Sequence, residues 1–239
     1  MSEGCARIVL DKKADLTGYT LIEGFPGIGL VGTIAAGYII EKRKMKPVGY
    51  IYCPKFPPMA IIHGGKPYFP ARIYQDTKEK FAVLIAEFVI PADIVYDLAG
   101  AVLDFAHSSK LKKIVSLAGM TAVQGGGKVY GIASTDEWRE KLQTNGIDMI
   151  NEGMTTGVSG VLIAKCASEN FPAVSLLAEA THDYPDPRSA SLLLDKAADI
   201  IGLKVDTRAL MEEADTIEAR MQKLLEQMKK SKSSAIGGA

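Results

Sequence analysis

The sequence predicts an α/β domain with a parallel or mixed sheet and helices on both faces, and three observations carry that prediction. Apolar or β-branched runs of strand length alternate with segments whose apolar residues recur at the period of a helix. Two prolines, Pro91 and Pro187, stand where such helices begin, a position that tolerates both the fixed φ and the missing amide hydrogen. Hydrophobic residues make up 47% of the 239 residues and charged ones 23%, the balance of a soluble globular chain with a full core, as one large domain or two small ones.

In chain order, the strand-length runs are Arg7 to Leu10, Tyr19 to Gly24, Val48 to Cys53, Lys80 to Glu87, Lys112 to Gly119 and Ala173 to Glu179. Helical periodicity covers Leu30 to Lys42, Pro91 to Ser108, Asp136 to Thr144, Val158 to Glu169 and Pro187 to Leu203. Asp186 precedes the second proline and is placed to cap the helix there. "PKFPPMAIIHGGKPYFP", Pro54 to Pro70, reads as a loop or a short hairpin leaning out of the sheet. From Asp206 the chain lacks glycine and proline for a long stretch and is dense in helix formers. Its apolar positions Leu210, Ala214, Ile217, Met221, Leu224 and Met228 follow the alternating four-and-three spacing of a coiled-coil seam. Such a seam needs a surface to lie against, on its own domain or on another subunit or partner. The expected division is an α/β domain over 1–204, a coiled-coil-like C-terminal helix over 205–230 and a disordered tail over 231–239.

"EGFPGIGLVG", Glu23 to Gly32, satisfies GxGxxG between an expected strand and an expected helix, the context of a dinucleotide loop. Against that chemistry, the next strand ends "YIYCPKF" without a carboxylate for the ribose, and Pro26 removes an amide donor from the turn. The alternative reading is mechanical: Gly27 and Gly29 take turn conformations closed to other residues, and Gly32 lets the helix backbone approach the sheet. Gly27, Gly29 and Gly32 therefore stand as a candidate ligand loop beside a purely structural one.

A polar cluster follows the last expected strand, where open α/β sheets bind ligands: Glu179, His182 and Asp186, with Asp183 and Arg188 alongside. Its bland reading is a helix cap, a turn and solvated charges. "EGMTTGVSGVLIAK" places Thr155, Thr156, Gly157 and Ser159 ahead of a helix, as an anion site or an ordinary capped start. It misses the GxSxG elbow because Val161 replaces the last glycine, and Gly125 to Gly127 with Lys128 lack a P-loop ending and run into a strand.

Several classes are set aside by composition. Lys plus Arg equal Asp plus Glu at 28 each, so no net field selects nucleic acid or an anionic membrane. Cys5, Cys53 and Cys166 form neither a disulfide framework nor a zinc motif, and no His, Asp or Glu set has metal-ligand spacing. The N-terminus has no basic segment leading into an apolar run, and Ile28 to Ile40 is too short and glycine-rich to span a bilayer. The expectation is a cytoplasmic protein without cofactor, metal, nucleic acid or membrane partner.

In order along the chain, "EGFPGIGLVG", "VYGIAS", "NEGMTTGVSGVLI", "LLAEATHDYPDPRSASLLL" and "GLKVDTRALMEEADTIE" resemble the proteasome assembly chaperone family, particularly its archaeal homologues. The likeness runs from about residue 7 to about residue 230. It implies a three-layer α/β/α sandwich akin to that of purine nucleoside phosphorylases, a homo-oligomer, and binding of proteasome subunits rather than catalysis. Some members end in a hydrophobic-tyrosine-any-residue signature that enters pockets on the proteasome α-ring. This chain ends Ile236, Gly237, Gly238, Ala239, so the resemblance does not extend to that mode of docking. Members have also been labelled carboxylate-amine ligases of the ATP-grasp type, whose metal-binding acidic pairs are absent from this sequence. The competing expectation is a phosphate- or nucleotide-binding enzyme with a nucleoside phosphorylase-like fold, using the glycine loops and the polar cluster.

Overall fold

A computed structural model describes residues 5–122, 127–180, 184–212 and 214–216. Among the described residues there are eleven strands: β1 (Arg7–Leu10), β2 (Thr20–Gly24), β3 (Lys46–Tyr52), β4 (Ile61–His63), β5 (Lys66–Tyr68), β6 (Ala71–Asp76), β7 (Phe81–Ala86), β8 (Lys113–Thr121), β9 (Val129–Ala133), β10 (Asp148–Met149) and β11 (Ala173–Ala180). Five helices accompany them: α1 (Val31–Lys42), α2 (Val95–Ser108), α3 (Asp136–Thr144), α4 (Gly157–Ser168) and α5 (Pro187–Ile201). A further helical segment occupies 208–212 and 214–216.

Nine strands form one sheet in the order β1-β3-β6-β7-β2-β8-β11-β9-β10. Its centre, β7, β2, β8 and β11, is parallel, while β1, β3 and β6 add on one side as antiparallel neighbours. Every residue of β2, β7 and β11 is buried, as helices on both faces require. On one face α2 and α4 cover Leu21, Leu84 and Ile114. On the other, α1, α3 and α5 cover Ile22, Val83, Val115 and Leu176. The expected α/β class and all five expected helices are present.

Pro54 to Pro70 contains the hairpin β4–β5, which stands apart from the main sheet. His63 on the hairpin and the buried guanidinium of Arg72 on β6 both reach Glu87, and Phe69 stacks on Tyr50 with centroids 4.1 Å apart. Two strands were not expected. β6, "ARIYQD", carries a buried charge and ends in polar residues, so no apolar run marks it. β10 has two residues and no periodicity.

The ends of α1, α2, α3 and α4 share one device. After α1, the Met45 amide donates to the Ile40 carbonyl and the Lys44 amide to Glu41, with Lys44 left-handed at φ 48. The same pair of bonds follows α2 at Lys110, α3 at Gly146 and α4 at Asn170. This is the Schellman arrangement, which favours glycine or asparagine at the left-handed position.

The C-terminal segment is tied to the body at three points. Tyr38 donates its hydroxyl to the Asp206 carbonyl at 2.6 Å, Thr207 donates to Asp195 at 2.9 Å, and Arg188 pairs with Asp215 at 2.6 Å. Leu210 and Ala214 are 2% and 1% exposed, and Leu210 joins the core beneath α1 and α5. The first two seam positions thus cover this chain's own body. Ile217, Met221, Leu224, Met228 and the tail over 231–239 lie outside the described residues. Tyr38→Phe removes one neutral hydrogen bond and should cost about 1 kcal/mol in denaturant unfolding. Limited proteolysis should then cut within 206–216 faster than in the wild type.

Candidate functional site

The carboxyl edge of the parallel strands is where an open α/β sheet holds a ligand, and here the loops after β2, β7 and β11 meet the starts of α1, α2, α4 and α5. The glycine loop lies at its centre. A Cβ on Gly32 would overlap the Leu117 carbonyl oxygen, one on Gly24 would meet Ala36 Cβ at 2.5 Å, and one on Gly119 would overlap the Ile28 carbonyl. Those three glycines let α1 and the turn before it touch the backbone of β2 and β8. Gly29 is left-handed at φ 60, as a turn glycine requires. Gly27 differs from expectation: its backbone is extended, at φ −156, and nothing lies within 4 Å of a Cβ there.

The loop offers few amides to a phosphate. Pro26 has none, the Leu30 amide donates to the Gly27 carbonyl at 3.0 Å, and that of Val31 to Ile28. The dinucleotide reading also fails on topology, because β3 is separated from β2 by β6 and β7. Lys55 after β3 pairs with Asp93 at 3.2 Å.

Beneath the loop sits a polar row that sequence reasoning missed. Glu23 of β2 aligns with Ser116 of β8, and Ser116 with Ser175 of β11, all under the start of α4. Glu23 is fully buried. Its carboxyl accepts the Phe25 amide at 2.8 Å and the Ser159 hydroxyl at 2.9 Å. Burial pushes its pKa up, against the opposing pull of hydrogen bonds from Ser116, Phe25 and Ser159. Ser175 Oγ is buried without a hydrogen-bond partner among the described residues. The only signal was a lone polar residue inside each apolar run, in "TLIEG", "KIVSL" and "AVSLL".

Ser159 therefore serves Glu23 rather than an anion. The Thr156 side chain makes no capping bond, contrary to an ordinary capped start, while Gly157 is left-handed at φ 73 and Gly160 packs against the Thr155 backbone. Of the polar cluster, Glu179 and Asp186 come to the same edge and His182 lies outside the described residues. Glu179 is buried and accepts the Lys128 amide at 3.3 Å, and its carbonyl accepts the Ser189 hydroxyl at 2.7 Å. Asp186 caps α5 by accepting the Ser189 amide at 2.9 Å, and its own amide donates to the Gly29 carbonyl at 2.8 Å. Each is bonded to the backbone of its neighbours. Among the described residues no group of His, Cys, Asp and Glu has the arrangement of a metal site.

Large apolar side chains are exposed along this edge. Leu30, Val89, Tyr96, Met154 and Tyr184, on its loops and at the α2 start, are 37%, 78%, 73%, 96% and 45% exposed. No helix among the described residues is long and apolar enough to cross a membrane.

A mixed α/β fold of this kind hosts many unrelated functions, so the fold by itself assigns none. The sequence profile of the PAC2 family matches residues 21–225, and the chain belongs to that family. It is 34% identical over 221 residues to an uncharacterized protein of Methanocaldococcus jannaschii, covering 92% of this chain and 91% of the other. Among solved structures it is similar to Pyrococcus furiosus PbaA, described as an archaeal homolog of proteasome-assembly chaperone, at 30% identity and a TM-score of 0.86 over 96% of this chain and 95% of that one. Pyrococcus furiosus PbaB, described as an archaeal proteasome activator, shares the fold at 24% identity and a TM-score of 0.79, over 94% and 99% of the two chains.

Two outcomes test the site. Gly32→Ala should destabilise the fold by about 3 kcal/mol or more, and Gly27→Ala by less than about 1 kcal/mol, in denaturant titrations. Equal effects would contradict the spacer role. Because the Glu23 pKa is raised on folding, its contribution is complete below the ordinary carboxylate pKa of 4.5 and falls as pH rises towards the folded value. Glu23→Gln should therefore flatten the decline in melting temperature above that pH, read by calorimetry across a pH series.

Proposed function

We propose that this chain is a non-catalytic, self-associating cytoplasmic protein that binds other proteins, proteasome subunits among them. One observation supports this most: at the edge where a ligand would sit, Glu23, Glu179 and Asp186 are engaged by backbone and hydroxyl partners while large apolar side chains are exposed. Scattered single apolar residues are ordinary on a surface, but five on the loops and helix start of one edge mark a contact region. The description of PbaA as an archaeal homolog of proteasome-assembly chaperone supports the choice of partner. The seam positions Ile217, Met221, Leu224 and Met228 form a second contact in this proposal, because Leu210 and Ala214 already cover the body.

Light scattering tests self-association against the 25.6 kDa protomer. The wild type should be a multimer, and Val89→Asp with Met154→Asp, or removal of residues 217–239, should lower its mass. A wild-type monomer would refute the proposal. Recombinant archaeal proteasome α-subunits should co-elute with the wild type and not with the two-aspartate variant. A panel of nucleosides, nucleotides and phosphate should leave the melting temperature unchanged; stabilisation lost in Gly27 or Gly29 variants would favour the enzyme reading.

A further inference from the structure

Part of the amino edge of the same sheet is basic. Segments 11–19, 41–46, 76–80 and 107–113 meet there, and together they hold eleven Lys and Arg against five Asp and Glu. A concave cleft of about 770 Å³ opens among them, between the end of α1 with the start of β3 and the turn from β6 to β7. Lys42, Lys44, Lys46 and Lys78 line it, and all four are exposed. None of the four is in an ion pair among the described residues. Its acids are largely answered already: Asp76 is held by Arg43 at 2.8 Å and by the Lys78 amide at 2.9 Å, and Glu79 lies 3.6 Å from the same guanidinium.

A second observation is independent of the count. Among the described residues, three of the five left-handed non-glycine residues are lysines, Lys44, Lys80 and Lys110, and all three lie at this edge, Lys44 in the lining of the cleft. Equivalent helix ends use the favoured residues, Gly146 after α3 and Asn170 after α4, the latter also at this edge, where β11 begins. Lysine near a helix C-terminus interacts well with the helix dipole, which accounts for Lys44 and Lys110. It does not account for Lys46 on a strand or for Lys78 and Lys80 in a strand-to-strand turn.

We propose that this cleft is a docking site for an acidic, carboxylate-rich segment of a partner protein. It is separate from the apolar edge, at the other end of the strands. Charge complementarity selects an anionic partner, and carboxylates suit this lining better than the phosphates of nucleic acid. The lining offers lysine point charges and a single guanidinium, and that guanidinium, the group suited to bidentate phosphate contact, is engaged by Asp76. Thr77, exposed beside the lysines, supplies a neutral hydroxyl for a peptide backbone.

The test uses the full chain and a fluorescein-labelled oligoglutamate peptide, with a DNA duplex of matched charge as comparison. Anisotropy should show peptide binding that weakens with added salt and is tighter than binding to the duplex. Lys44→Glu with Lys78→Glu should weaken it more than about tenfold. Lys44→Gly relieves a left-handed side chain while removing one charge, so its melting temperature should rise by about 2–4 °C while peptide binding falls about twofold to fivefold. Loss of binding in a stabilised protein cannot come from unfolding. Absence of wild-type binding, unchanged affinity in both variants, or a duplex bound as tightly would overturn the proposal. A fall in self-association mass in the lysine variants would overturn it too, by making the cleft an interface between copies. The Val89→Asp and Met154→Asp protein should bind the peptide normally, so the two proposals fail separately.

Discussion

Backbone-to-backbone contact between the first helix and the sheet is the constraint on which the rest depends. Gly24, Gly32 and Gly119 come from three different elements, and each occupies a place where a single methyl group would overlap another element. Interiors are packed too tightly to absorb such an overlap without moving the helix. The contact seats α1 on β2 and β8, brings the Gly29 carbonyl to the Asp186 amide, and so ties the start of α5 to the same turn. What resembles a phosphate loop is thereby closed from within.

That closure explains the character of the edge above it. In a dinucleotide fold the glycines bring the chain close to a ligand; here they bring it close to other protein. The amides before α1 complete a tight turn, and the buried Glu23 receives the Phe25 amide and the Ser159 hydroxyl. A carboxyl so enclosed holds the loop, the sheet and α4 together, since removing it would leave buried donors unsatisfied. The same fold can present ligand chemistry or a contact surface from this edge, and the outward side chains Val89 and Met154 belong to the second use.

Much of the architecture was legible because the physics is local. Proline at the start of α5, Asp186 ahead of it and the period of apolar residues in α2 and α5 specify helices without reference to the rest of the chain. β6 was hidden because the buried Arg72 inside it is answered by Glu87 on the neighbouring strand's loop and by His63 on the hairpin, contacts that only the folded sheet brings together. The site was read in part. Gly29 and Gly32 could be assigned as turn and spacer, and Asp186 as a cap, from neighbouring residues alone. Gly27 could not, because an extended and open glycine has no sequence signature. Glu23, Ser116 and Ser175 meet only through strand register across three segments of the chain, and register is fixed by tertiary pairing.

Charge shows the limit of composition most clearly. Equal totals of 28 basic and 28 acidic residues give no net field, and a partner read from net charge alone is no partner at all. The fold separates what the sequence mixes. Parallel strands put every βα connection at one end and every helix C-terminus of the βα units at the other, so residues scattered through the chain are sorted by which end of a strand they follow. Glu87, Asp93 and Asp97 follow β7 to one end; Lys42, Lys44 and Lys110 follow α1 and α2 to the other. A neutral chain thereby gains a basic stretch at the amino end of its strands, and because charges within about 10 Å of a docking surface act at physiological salt while distant ones are screened, a partner meets that stretch as a local field.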